Sequence, residues 1–260
     1  MKKIIRYLFI SSFIVYIIFP IITNLILSFS NVWQWPNILP ADFSLKHYID
    51  IFKQGNFLKA ILNTTVIGIM VILLNYILVI PSAYAISRLR SKYKAVIITI
   101  IILPIIVPPI LVLLNLYNHF LVWDLTDNYL GVIIAHMIPS LPYMFIILYL
   151  GFEKIDPNYE SVFLSLGVGP VKGFFTVILP QIKEAIVLGG IMTFLISISQ
   201  YLSTLLIGGG RILTMTLLLT PYIQGGNARV GAAYGILLIL VCISLIYLYE
   251  TILIGGRKNA

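Results

Sequence analysis

The stretch Phe152–Ile182 reads FEKIDPNYESVFLSLGVGPVKGFFTVILPQI, and its punctuation sets how the rest of the chain is read. Asp156 is placed to cap a short helix whose first turn holds Pro157, where a missing N–H costs nothing. Gly167 can supply the left-handed residue that ends this helix, and Pro170 can open a second one. Within the first helix Val162, Phe163 and Leu166 share a face by their i, i+3 and i, i+4 spacing. The result is an apolar knob on a charged connection between two long apolar runs. Such a knob needs a partner.

Composition excludes a soluble globule. Hydrophobic residues at 60%, charged residues at 10% and a mean hydropathy of +1.04 describe a polytopic membrane protein, since soluble domains are on average about a quarter charged. The single cysteine, Cys242, lies in an apolar run and reads as a small packed hydrophobe. The net charge of +8 is spread over short connections and is not gathered on a domain that could hold nucleic acid.

Apolar runs that match the about 20 residues of a bilayer crossing fall at 8–28, 61–86, 95–116, 129–150, 185–207 and 230–254. The chain is therefore expected to be all-α, one membrane domain over residues 1–260 with a connecting loop at 152–182. A cleaved leader competes for the first run, with Ser28-Phe29-Ser30 as a weak processing site, but the run is long and carries Pro20. Residues 31–57 turn polar and aromatic, with Trp33, Trp35 and Tyr48, as suits a large interfacial loop. Pro104, Pro108 and Pro109 predict a kink or break in the third run, and Pro139 and Pro142 lie in the fourth. Ser197, Ser199, Gln200, Ser203 and Thr204 gather late in the fifth run, which Gly208-Gly209-Gly210 then stops. Leu213–Leu219 is too short to span and is expected to lie against the protein or the interface.

With both ends inside, twelve of the 17 Lys and Arg residues fall on inner segments: the N-terminus, the turn from Arg88 to Lys94, the 152–182 region up to Lys183, and the C-terminus. Lys46, Lys53, Lys59, Arg211 and Arg229 are left outside, so the positive-inside rule selects six spans with both termini cytoplasmic.

The quoted stretch resembles the cytoplasmic coupling loop of ABC-importer permeases of the type I fold, whose pattern is Glu-Ala-Ala, three residues, Gly, nine residues, then Ile-x-Leu-Pro. Gly167 and Leu179-Pro180 keep that spacing, with Asp156-Pro157 upstream. Ser161 stands where the family has glutamate, Glu160 lies one place earlier, and Val162 and Phe163 replace the two alanines. A salt bridge from that glutamate is therefore not carried over. Asn63-Thr64 and the Pro81–Arg88 segment also fall where such permeases place them, so the resemblance covers essentially the whole chain. Ser199-Gln200-Tyr201-Leu202, the following Gly208–Arg211, and Leu166 before Gly167 resemble the branch for spermidine, putrescine or thiamine-like solutes. Iron, sulfate and phosphonate permeases share much of this signal.

The resemblance implies a non-enzymatic translocation subunit in a bacterial cytoplasmic membrane. Two such subunits would enclose a path, an external solute-binding protein would deliver solute, and two ATPase subunits would grip the coupling helices. Six broken, polar-bearing spans supply half of a path, and a second, different permease subunit is expected in preference to a homodimer. The ATPase contact is expected at Glu160, Ser161, Val162, Phe163, Leu166, Gly167, Leu179 and Pro180. No cofactor is expected on this chain, which lacks a Gly-x-x-x-x-Gly-Lys-Ser/Thr loop; ATP would be used by the partner.

Asn75, Asn115, His136, Ser140, Tyr143, Ser199 and Gln200 are the candidates for lining a path, although each could instead join helices. His136, ionisable inside a span, is a functional candidate by default, but a neutral histidine bonded to a neighbouring helix is the preferred reading. His47, His119 and His136 lack metal-ligand spacing. An ion-coupled secondary transporter would need carboxylates deep in the spans, whereas Glu184 and Glu250 lie toward span ends. A polyamine would call for acids or aromatic cages, so selectivity is expected to rest with the binding protein.

The charge distribution predicts a labelling pattern. In a background lacking Cys242, cysteines at positions 35 and 211 should react with an impermeant reagent from outside, and those at 90 and 167 should not. Outside labelling at 167 without labelling at 35 would reverse the topology.

Overall fold

The computed structural model describes residues 2–33 and 36–254, and Trp35, Arg257 and Lys258, which entered the topology expectation, lie outside them. In chain order, α1 runs Lys2–Phe29, α2 Lys46–Lys53 and α3 Asn56–Arg88. The third span is divided into α4, Lys94–Ile102, and α5, Pro109–Val122, and α6 follows at Tyr129–Glu153. The 152–182 region holds α7, Asn158–Ser165, α8, Pro170–Gly173, a π-type turn at Phe174–Ile178, and α9, Leu179–Gln181. Beyond it come α10, Lys183–Ile198, α11, Tyr201–Ile207, α12, Met215–Gln224, and α13, Ala228–Ile254.

Four of these helices, α1, α3, α6 and α13, are long and apolar enough to cross a membrane alone, and the number rises to 6 if two bent pairs each count as one crossing. Helix α3 starts at Asn56, ahead of the expected Ile61. The proline-rich third span breaks as expected: a 3-10 turn at Leu103–Ile105 ends its first half, Pro108 is extended and Pro109 opens α5. The two halves meet at 87°. Pro139 and Pro142, by contrast, are accommodated within the continuous α6.

One expectation needs correction. The fifth run does not continue from 185 to 207: it stops at Ile198 and resumes at Tyr201. Ser199 Oγ bonds Ile196 O at 2.8 Å and Thr204 Oγ1 bonds Gln200 O at 2.7 Å, so hydroxyls compete with the backbone ladder across the break. The 31–57 loop contains α2, whose Ile51 is buried and whose His47 Nε2 lies 3.1 Å from Ser30 O.

Contacts gather into two units, with the divisions falling inside α3 and α13. The first comprises residues up to Ile61 together with Leu213–Ile243. Ile51, Phe57, Ala60, Met215, Ala233 and Tyr234 form its core. Helix α12 lies against the protein as expected of the short apolar segment, burying Met215 and Leu217 behind a Thr214 cap. From Phe9 to Ile22 the side chains of α1 stay uncovered by the chain, with Tyr16 at 78% exposure, as suits an apolar span only if lipid or another chain surrounds it.

The second unit, Leu62–Ile212 with residues from Ser244 on, carries the polar spans and the short hairpin of α7 and α8, Asn158–Gly173. Small residues set its helix approaches: a Cβ at Gly189 would touch Met144, and one at Gly68 would overlap Phe194. Gly190 faces the hydroxyls of Tyr76 and Tyr249, which bond each other, while Tyr76 also donates to Ile186 O at 2.5 Å. This knot ties α3, α10 and α13. Gly190→Val should drive a side chain into both hydroxyls and cost about 2–3 kcal/mol. Thermal unfolding of the detergent-solubilised protein should show it, while Leu188→Val, on the exposed face of α10, should change little.

Candidate functional site

The hairpin is built by local rules. Asp156 Oδ1 accepts from the Asn158 N–H at 2.9 Å, so the acid caps α7 with Pro157 in the first turn. At the other end Val168 N–H reaches Phe163 O and Gly167 N–H reaches Leu164 O, each at 3.0 Å, with Gly167 at φ +75°. That pair of bonds is the Schellman closure, and its left-handed residue favours glycine. Pro170 then opens α8.

The expected common face of α7 divides. Val162 and Leu166 are 55% and 76% exposed, but Phe163 is 6% exposed because its ring lies over Gly173 of α8, where any Cβ would overlap it. Phe163 is thus an internal pin between the two short helices, stabilised by about 1.5–3 kcal/mol of burial, and is not part of the exposed knob. Ser161 is exposed and bonds Asn158 O at 2.8 Å. Leu179 is half-buried, and Pro180 is exposed beside the 73° bend between Pro170–Gln181 and α10.

Glu160 does not point away from the chain. Its Oε1 accepts from Arg88 Nε at 2.5 Å, and Arg88 Nη1 donates to Ile155 O at 3.2 Å and Phe152 O at 3.4 Å. The guanidinium lies 5.5 Å from the Tyr84 ring centroid, and Tyr84 packs on Phe152 and Phe174. Alongside, Lys94 Nζ bonds Glu153 Oε1 at 2.7 Å and Ser87 O at 3.0 Å. Two cations therefore hold the ends of α3 and α6, the start of α4 and the hairpin in one cluster, each placed at the C-terminal end of a helix.

Three of the expected path residues are fully enclosed by helices. Asn75 Nδ2 donates to Ser140 Oγ at 2.9 Å, and Ser140 donates to the carbonyls of His136 and Met137. His136 is 2% exposed, with Nδ1 3.0 Å from Ser197 Oγ and Nε2 3.0 Å from Thr204 Oγ1. Because the Thr204 hydroxyl donates to Gln200 O, its oxygen is free to accept from an Nε2–H, which suits the neutral ring. These groups join α3, α6, α10 and α11. Asn115 and Ser199 lie exposed and bond carbonyls of their own helices, Leu111 O and Ile196 O, and Tyr143 is half-buried.

Gln200 stands apart. With Ser203, to which its Oε1 is bonded at 2.9 Å, it lines a cavity of about 50 Å³ whose other walls include Pro104, Pro109, Leu113 and Pro139. The two interrupted spans thus meet at one small, partly polar gap. Sequence reading did not find Arg88 as a contact residue, nor Gly173, Ser197 and Thr204 as partners. Arg88 carries two signals in the sequence, the first of four positive charges from Arg88 to Lys94 and the end of the Pro81–Arg88 segment, and neither names a contact partner.

Residues 77–253 match the family described as binding-protein-dependent transport system inner membrane component. Among curated proteins the chain is 27% identical over 224 residues to a spermidine/putrescine transport system permease protein PotC homolog of Mycoplasma genitalium, covering 85% of this chain and 76% of that one. It is 28% identical over 204 residues to the molybdate/tungstate transport system permease protein WtpB of Pyrococcus furiosus, covering 78% and 80%. Its fold resembles a chain of a bacterial ABC transporter that imports the acidic polysaccharide alginate, with a TM-score of 0.72, 18% identity and coverage of 96% and 95%. Helical spans, hairpin and family match agree: the chain belongs to the inner-membrane components of binding-protein-dependent transport systems, as a multi-pass, non-enzymatic ABC-importer permease.

Proposed function

We propose that this permease forms half of a solute path and takes its drive from a separate ATPase that grips the exposed face of α7. The observation that carries this reading is the contrast within the hairpin. Val162 and Leu166 stay exposed on a helix whose ends and inner face are fully fixed by Asp156, Gly167 and Phe163. Exposed apolar side chains on a rigid support are unfavourable in water and stabilise a docked state. Ser161, Gly167, Leu179 and Pro180 flank that face, while Glu160 and Phe163 serve it from behind. ATP is bound and hydrolysed by the partner, and this chain holds no cofactor. The hairpin and both termini face the cytoplasm.

A second, different permease subunit completes the path, and an external binding protein delivers solute. The alginate transporter, solved in complex with a pentasaccharide-bound periplasmic protein and alike in fold, supports the latter. The solute is a polyamine of the spermidine or putrescine class, supported by the similarity to permeases named for those solutes over 85% of the chain. The comparable identity to a molybdate/tungstate permease gives the second reading, an oxyanion.

Leu166→Asp should weaken ATPase retention on the purified permease by about tenfold or more, with membrane insertion intact. Full retention in the Val162→Asp, Leu166→Asp double variant would reject the docking face. An active complex with no other membrane subunit would reject the heterodimer. The solute is decided on the binding protein that co-purifies: calorimetric titration should show binding of spermidine and none of molybdate, and the reverse result would select the oxyanion.

A further inference from the structure

We propose that Arg88 is a positioning residue that passes displacement of α7 into α3, through an ion pair with Glu160 that closes from one hydrogen bond to two. The inference rests on the coupling role of α7. The family position for a glutamate is Ser161 here, so the acid has shifted one place along the helix, and the structure shows it turned inward onto the last residue of α3.

The guanidinium is divided by task. Nη1 holds the carbonyls of Phe152 and Ile155 at the end of α6, and Nε holds Glu160 Oε1. Nη2 is buried and makes no hydrogen bond within the chain. Nε and Nη2 share the edge that a carboxylate bridges with both oxygens, the strongest and most directional arginine pairing. Only half of that bridge is made. Glu160 is 31% exposed and also faces the Tyr84 hydroxyl, so a shift of α7 toward α3 that brought its second oxygen to Nη2 would trade that neighbour for the full arginine bridge.

A buried donor left open favours that shift, because an unmade bond to a charged group is costly. The same geometry gives α7 two arrangements against α3, one with a single bond and one with two, which is what a contact that transmits a push requires. Phe163 keeps α7 and α8 together while this happens, so the hairpin moves as a piece. Lys94, bonded to Glu153 and Ser87 O, holds the neighbouring helix ends in place on the other side.

The test uses the permease purified with its ATPase and second subunit in lipid nanodiscs, measuring ATP hydrolysis with and without its solute-binding protein. Arg88→Gln, Glu160→Gln and Arg88→Lys, which keeps charge but cannot bridge, should retain the ATPase at wild-type stoichiometry. Stimulation by the binding protein should fall about tenfold in each. Wild-type stimulation in Arg88→Lys, or loss of the ATPase itself from the single variants, would each overturn the proposal. Failure of the docking face is separate, since it appears as ATPase retention in Leu166→Asp whatever Arg88 does.

Discussion

Inside hydrocarbon no water is available to satisfy a polar group, and this constraint organises the second unit. Asn75 Oδ1 makes no hydrogen bond within the chain, but Asn75 Nδ2 meets Ser140, and His136 meets Ser197 and Thr204. Tyr76 and Tyr249 do the same with a backbone carbonyl, beside a glycine that leaves them room. Without a hydrophobic difference between lipid and protein, close approach and such pairs are what hold membrane helices together. Polar residues spent in this way are committed to structure. The helices themselves stop at Pro104–Pro109 and at Ser199-Gln200, where irregular backbone at membrane depth persists only against protein or a cavity.

At the ends of the spans the same requirement is met by charge. Phe152 O near the end of α6 already accepts the Ile155 N–H, and Arg88 adds a bond to it and one to Ile155 O just beyond, while Lys94 bonds Ser87 O near the end of α3. Both cations also meet an acid, Glu160 and Glu153, so the cluster is neutralised where it is partly buried. Basic residues beside a span are usually explained by topology. Here two of them have a second duty that topology alone does not require.

Signals confined to a few neighbouring residues were legible in the sequence. Asp156 before Pro157, Gly167 and Pro170 determine the hairpin through φ, ψ and single hydrogen bonds, and the structure contains each of them. The proline break in the third span was legible for the same reason. Phe163 was misplaced because its environment is made ten residues later by a missing side chain, Gly173, which periodicity along α7 does not register. The continuous fifth span failed similarly: its apolar content suggested one helix, while hydroxyls at Ser199 and Thr204 diverted backbone groups locally. Which polar groups would meet across helices was not legible, since His136 and Thr204 are brought together only by the packing of α6 against α11.

Stiffness and softness are distributed accordingly. From Asp156 to Gly173 the chain is capped, closed by a left-handed glycine and pinned by an aromatic ring, and Arg88 ties it to α3. The backbone is interrupted elsewhere, at the 87° break between α4 and α5 and at the 73° bend before α10. One of those interruptions borders the small gap that Gln200 lines. The apolar character of the α7 surface fits this arrangement, because such a contact is not weakened by salt, whereas the ion pair behind it is sheltered by partial burial.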